Sequence, residues 1–358
     1  MQPPLSGLGG SFVQKTLFAA ALERHGNRIA LVDGDGTAPS YATLAALADR
    51  LMLETNQAQV GLIEFAHTID AIAAYLGALR QGLPVILTSP GQPERTAALI
   101  DRFRPDCVFR DGHWANLPGS NWREAPPHPN LAILLSTSGS TGDPRLVRLS
   151  HGNIQSNADA IVAYLGLRAS DRAITALPLH HGFGLSVLHA QLAVGGSLIV
   201  TEARIGTQAF QALCFRHRCT IVATVPHGYD LLERTGFMDD CPSMLRILQQ
   251  AGGRMEPEAV LRWAKWAKAS GRPIVLFPEG TRIPPGEQPP LRAGLAGLYK
   301  ILGLPVIPVA LSAGHQWPKG FVKYAGPVRM KVGAPIPPGL SREEIERRVH
   351  EAINVLNG

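Results

Sequence analysis

The chain has 358 residues, 45% hydrophobic and 17% charged, which excludes a disordered polypeptide and leaves room for two domains. Its 34 Lys and Arg against 28 Asp and Glu give a net charge of +6. From Gly271 onward 11 basic residues meet 6 acidic ones, so the tail holds most of that charge.

A basic tail suits an anionic ligand or an anionic membrane surface, and equally a merely solvated face. Basic residues do not interleave with aromatics on any stripe, which argues against nucleic acid. Cys107, Cys214, Cys219 and Cys241 lack metal-ligand spacing and read as free thiols in a reducing cytoplasm. The opening MQPPLSGLGGSF has no basic or apolar leader region and predicts no secretory signal. The apolar stretch AGLAGLYKILGLPVIPVALSAG contains Lys300 and two prolines, so it reads as helix then strand, not as a membrane span.

In chain order, VGLIEF precedes the helical pattern TIDAIAAYLGALRQG, PVILT precedes QPERTAALIDRF, and CVF follows. LAILL, AITALPL, SLIVT, TIVATV and LRILQQ come later, separated by helix-length segments. This alternation predicts an α/β fold of layered parallel or mixed sheets flanked by helices. The proline-rich stretches 283–290 and 335–340 predict loops. The end, SREEIERRVHEAINVL, predicts a helix with a Ser341–Glu344 capping box and Ile345, Val349 and Ile353 on one face.

The stretch ILLSTSGSTGDPR, 133–145, follows a buried strand with hydroxyls and glycines, and HGNIQSNADAIVAYLG predicts a helix beyond it. Gly139 and Gly142 allow successive N–H groups to surround an anion. Ser136, Thr137, Ser138, Ser140 and Thr141 add donors, and Arg145 adds fixed positive charge. Phosphate suits this set, although the Walker A spacing is absent. An ordinary Ser/Gly surface loop is the plainer alternative.

Here the sequence resembles the adenylate-forming superfamily of acyl-CoA synthetases, aryl-acid ligases and peptide-synthetase adenylation domains. TSGSTGDPRLVRLSH matches that family's phosphate loop, with Arg145 for the usual lysine and Leu146 for a usual glycine. LPLHHGFGL, 177–185, matches its Pro-x-x-His-x-x-Gly stretch, which implies that His181 sits beside a carboxylate substrate. TVPHGYDLL and LRILQQAGGRMEPEAV continue the likeness, which implies that Gly252, Gly253 and Arg254 border adenine and the acyl pocket. Those glycines also suit a tight turn. The likeness runs from about residue 10 to about 268 and implies ATP, Mg²⁺, a carboxylic acid and, for thioester formation, CoA.

The family's magnesium glutamate, ribose aspartate, hinge and lid lysine have no counterpart, so the resemblance implies an incomplete adenylate-forming domain, 1–268. Segment 269–358 resembles instead the second half of a 1-acylglycerol-3-phosphate acyltransferase. FPEGTR, 277–282, and LPVIPVAL, 304–311, match two of that family's motifs. The expectation is that a buried strand PIVLF delivers Glu279, Gly280, Thr281 and Arg282 to a strand end, with Arg282 gripping phosphate. Glu279 and Arg282 merely pairing on a loop is the alternative. Glu279 is also the one candidate to stand in for the missing magnesium carboxylate. The acyltransferase His-x4-Asp dyad is absent, since none of the twelve histidines has Asp five positions on. Three functions follow: an impaired acid–AMP ligase with catalytic His181 and Glu279, a lysophospholipid acyltransferase without its base, or a non-catalytic chimera.

Overall fold

The computed structural model describes residues 17–55, 57–120, 122, 126–136, 146–280, 283–315, 326 and 328–357. They fall into two compact units, Met1–Arg254 and Met255–Gly358.

The first unit begins α1 (Leu17–Ala20), β1 (Leu31–Asp33), α2 (Tyr41–Leu51), β2 (Gly61–Glu64), α3 (Ile69–Gln81), β3 (Val85–Thr88) and α4 (Pro93–Phe103). It continues through β4 (Cys107–Arg110), β5 (His113–Asn116), β6 (Leu131–Ser136), β7 (Leu146–Ser150) and α5 (His151–Leu165). Then come β8 (Arg172–Ile174), α6 (Gly182–Val194), β9 (Ser197–Val200), α7 (Gln208–Arg216), β10 (Ile221–Thr224), α8 (Pro226–Arg234) and β11 (Ile247–Gln250).

These strands form two sheets. One, in the order β5-β4-β2-β3-β6-β7, is parallel at its centre with antiparallel edges β5 and β7. The other, β1-β9-β8-β10-β11, is parallel throughout. VILT, SLIV and IVAT are buried at every position, as strands covered on both faces must be. Helix α3 is buried continuously from Ala71 to Leu79; Thr68 caps its start and left-handed Gly82 ends it. The expected α/β layering is therefore present. Below the five-stranded sheet, buried Asp171 accepts from Thr220 Oγ1 at 3.1 Å and Arg168 N at 2.7 Å, and pairs with Arg246. That clamp ties together the N-terminal ends of β8, β10 and β11.

One junction differs from the expected strand–loop–helix order. Residues 146–150 form β7, which returns antiparallel beside β6 with Ser136 opposite Leu146. LVRLS is short and β-prone enough to extend the sheet edge before Ser150 caps α5 through Asn153. The helix thus starts after a strand, not at the end of the hydroxyl-rich loop.

The second unit holds α9 (Pro257–Ala269), α10 (Gly294–Leu302), β12 (Val309–Leu311), β13 (Met330–Val332) and α11 (Arg342–Asn354). Its core gathers Leu295, Ala296, Tyr299, Ile336, Ile345 and Val349. β12 and β13 pair antiparallel as a two-stranded ribbon. Two expectations fail here. PIVLF is not a strand: residues 272–277 are irregular, and Val275 and Phe277 are 64% and 71% exposed. A β-prone segment forms a strand only where a neighbouring strand accepts its main chain, and among the described residues none pairs with it. The capping box of α11 is half made. Ser341 accepts from Glu344 N, but the Glu344 carboxylate turns to Arg347 and Arg348. Charge-assisted contacts outcompete the neutral main-chain donor.

Candidate functional site

Parallel strands deliver their following loops to one edge, and in open α/β sheets ligands bind at the carboxyl ends. His67 follows β2, the segment 175–181 follows β8, Thr201 follows β9, Val225 and Pro226 follow β10, and Gly252 to Arg254 follow β11. The predicted residues of the first unit lie at these C-terminal ends wherever they are described.

His181 is the N-cap of α6, and its side chain makes no cap hydrogen bond. The first amides of a helix lack intrahelical partners, so ring and amides together offer donors to an anion. Gly184 brings the preceding loop close: a Cβ there would stand 2.4 Å from Pro178 O and 3.0 Å from Leu177 O. His181 N in turn donates to Pro178 O at 3.2 Å. Burial, with Arg95 adding to it, lowers the His181 pKa. A neutral ring at neutral pH donates one N–H and adds no charge of its own.

His180 packs its ring 4.3 Å from that of His181. It is buried, and its Nδ1 has no hydrogen-bond partner among the described residues. Burial first, then His181, Arg95 and His67, push its pKa down to about 4. His67 reaches the same loop, with Nδ1 2.9 Å from Thr201 O and Nε2 3.1 Å from Leu177 O. Sequence reasoning missed His67 and His180. Position alone could have signalled them: each is a polar ring placed just past the carboxyl end of an apolar strand.

After β11, Gly252 is left-handed at φ +83°, and a Cβ on it would meet Val225 at 3.2 Å. Gly253 O accepts from Gln250 Nε2 at 2.9 Å. The tight-turn reading of this glycine pair therefore holds, and Arg254 is exposed at its end. Thr137, Ser138, Gly139, Ser140, Thr141, Gly142 and Arg145 lie outside the described residues, between the paired ends of β6 and β7.

Glu279 and Gly280 belong to the second unit, whereas His181 belongs to the first. Glu279 stands in a turn, not at a strand end. Burial raises its pKa, opposed by His350. Pro278 O accepts from Arg292 N at 2.9 Å, and the Arg292 side chain covers Gly280, 3.1 Å from where a Cβ would sit. Thr281 and Arg282 lie outside the described residues. Among the described residues no three His, Cys, Asp or Glu side chains are grouped to hold a metal. Among the described residues the magnesium role considered for Glu279 thus has no ligand set around it.

A cavity of about 620 Å³ opens between residues 57–59 and 82–84, which precede β2 and β3. It lies at the amino ends of those strands, and neither His181 nor Gly252 to Arg254 lines it. We give the carboxyl-end cluster precedence because it alone joins the helix N-terminus to the histidine pair.

Residues 102–275 match the family model described as AMP-binding enzyme. The chain carries a segment similar to AMP-binding enzymes. The sulfoacetate–CoA ligase of Cupriavidus necator is 33% identical over 197 residues, 53% of this chain and 35% of that protein. The N-terminal domain of FACL13 from Mycobacterium tuberculosis has the same fold, with a TM-score of 0.59 at 18% identity over 74% of this chain and 77% of that one. A 1-acyl-sn-glycerol-3-phosphate acyltransferase of Pseudomonas aeruginosa is 44% identical over 61 residues, 17% of this chain and 24% of that protein. The chain thus spans about a third of the ligase and a quarter of the acyltransferase. Matches to two families in one polypeptide are consistent with a chimera, as the two resemblances in the sequence imply. The segment is similar in sequence to an acid–CoA ligase, and its α/β sheets share the fold of the FACL13 domain.

Proposed function

We propose that residues 1–268 bind ATP and a carboxylic acid and join them as an acyl adenylate, with impaired turnover. A carboxylate oxygen bonds to the α-phosphorus while the bond to the bridging oxygen breaks, and pyrophosphate leaves. His181 donates one ring N–H to the acid, helped by the first amides of α6. Residues 137–145 cradle the phosphates, and the Gly252–Gly253 turn with Arg254 borders adenine and the acyl group. The observation that carries this reading is the collection of 175–181, 225–226 and 250–254 at the carboxyl edge of one parallel sheet.

Mg²⁺ would supply charge neutralisation on the triphosphate, but no described set of residues fits it, and no step is assigned to it. CoA would serve only a second half-reaction, thioester formation. The test is pyrophosphate exchange with ATP, Mg²⁺ and a panel of acids. Exchange that falls by about a hundredfold in Ser138→Ala is expected, as for loss of one preorganised donor. No exchange with any acid would leave a nucleotide-binding protein at most.

The acyltransferase match favours a second reading for residues 269–358, with Glu279 and Gly280 joined by Thr281 and Arg282 around a phosphate. Acyl transfer from acyl-CoA to lysophosphatidic acid, abolished by Glu279→Ala, would support it. Absence of product is the outcome expected without a His-x4-Asp base. Peripheral contact of this basic part with anionic lipid at the inner membrane face belongs to the same proposal.

A further inference from the structure

His67 does something a side chain at a strand end need not do: both of its ring nitrogens face main-chain carbonyl oxygens. Nδ1 is 2.9 Å from Thr201 O, and Nε2 is 3.1 Å from Leu177 O. A neutral imidazole has one N–H, so one of the two contacts would set lone pair against lone pair. Only the ring carrying a hydrogen on each nitrogen donates to both, and such charge-assisted bonds are the stronger kind.

The two acceptors are themselves held. Thr201 O also accepts from Thr175 Oγ1 at 3.2 Å, and that hydroxyl accepts from Thr201 N at 3.0 Å. Leu177 O lies against Gly184, where a Cβ would approach it to 3.0 Å. The next residue, Pro178, accepts from His181 N. A chain of contacts thus runs from the end of β2 in one sheet, across His67, to the loop after β8 and the start of α6 in the other. Arg95 on α4 acts on both His180 and His181, and His67 acts on His180, so these groups share one neighbourhood.

We propose that His67 is a positioning residue: donating from both ring nitrogens, it fastens the six-stranded sheet to the loops after β8 and β9 and so sets the His180–His181 turn that receives the acid. The role at the acid site rests on the adenylation reading above; the two-donor geometry does not.

The experiment has two arms on the full chain. In the first, ring ¹⁵N–¹H spectra at neutral pH, assigned by loss of signals in His67→Asn, are expected to report a hydrogen on each nitrogen of His67. A bare nitrogen overturns the proposal whether or not the protein has activity. The second arm is chemical rescue of His67→Ala. The variant is expected to shift the ring resonances of His180 and His181 and to raise the acid KM about tenfold, with a smaller effect on kcat, because a misplaced positioning loop weakens near-attack geometry. Imidazole should restore both readouts, and 1-methylimidazole, which can donate from one nitrogen only, should not. Equal rescue by the two compounds, or unmoved His180 and His181 resonances, refutes the role. Wild-type protein without exchange, but with two ring hydrogens and shifted resonances in His67→Ala, would remove the adenylation reading and the acid-site role while leaving the cross-sheet fastening in place.

Discussion

His180 and His181 are neighbours in sequence with different surroundings. His180 is 7% exposed, while His181 caps a helix in the open. The buried ring resists protonation, and its pKa falls from 6.5 to about 4. Above 6.5 the ring is neutral in folded and unfolded chains, so it contributes nothing to the pH dependence. As pH drops from 6.5 toward 4 the unfolded chain takes up a proton that the folded one refuses, and stability falls by on the order of 3 kcal/mol. Urea midpoints measured from pH 7 to 4 are expected to fall more steeply in the wild type than in His180→Asn. Parallel curves would show that this ring is protonated as readily in the fold as outside it. The sequence made His181 legible through a motif, but His180 only as its neighbour; burial, which separates their chemistry, comes from the packing of α6 on its own preceding loop.

At the scale of elements, the ribbon β12–β13 is the least satisfied part of the molecule. Val309 pairs with Val332 and Leu311 with Met330, and these four side chains are 39–61% exposed, whereas Ala310 between them is buried. Alternation therefore sends the large apolar side chains to solvent and the small one inward. Ile307 and Val328 extend the row and are also exposed. An antiparallel pair needs a further layer or strand to be stable, and a contiguous apolar face of this kind invites association. The chain is expected to bind the dye ANS strongly, and Val309→Lys with Met330→Lys to cut that fluorescence severalfold without lowering the melting temperature. Retained fluorescence would place the exposed apolar surface elsewhere. PIVLF reads as a strand by composition in the same way, yet stays irregular because no partner strand borders it. Propensity was legible; partnership was not.

For the whole molecule, charge and core divide along the chain. Residues 255–358 contain 14 of the 34 basic and 8 of the 28 acidic residues, so they carry the entire net charge, and 1–254 are balanced. The large core, from Phe18 through Val200, lies wholly within the first unit, while the main cluster of the second gathers six buried residues. A truncated chain, 1–254, is therefore expected to melt cooperatively near the temperature of the first unit in the full protein and to ignore anionic vesicles. The full chain should sediment with phosphatidylserine vesicles and not with neutral ones. Sedimentation of 1–254, or none by the full chain, would remove the lipid contact from the proposed function. Among the described residues no helix is long and apolar enough to cross a membrane.

Period and punctuation in the sequence determined the alternation of strands and helices, the glycine turn at 252–253, the terminal helix and the two family likenesses, because each is a local pattern of a few side chains. Tertiary structure alone decided that β7 returns beside β6, that PIVLF finds no sheet, that His180 is buried, and that His67 spans two sheets. Those outcomes depend on which distant main-chain groups are available as partners, and no local run of residues encodes that.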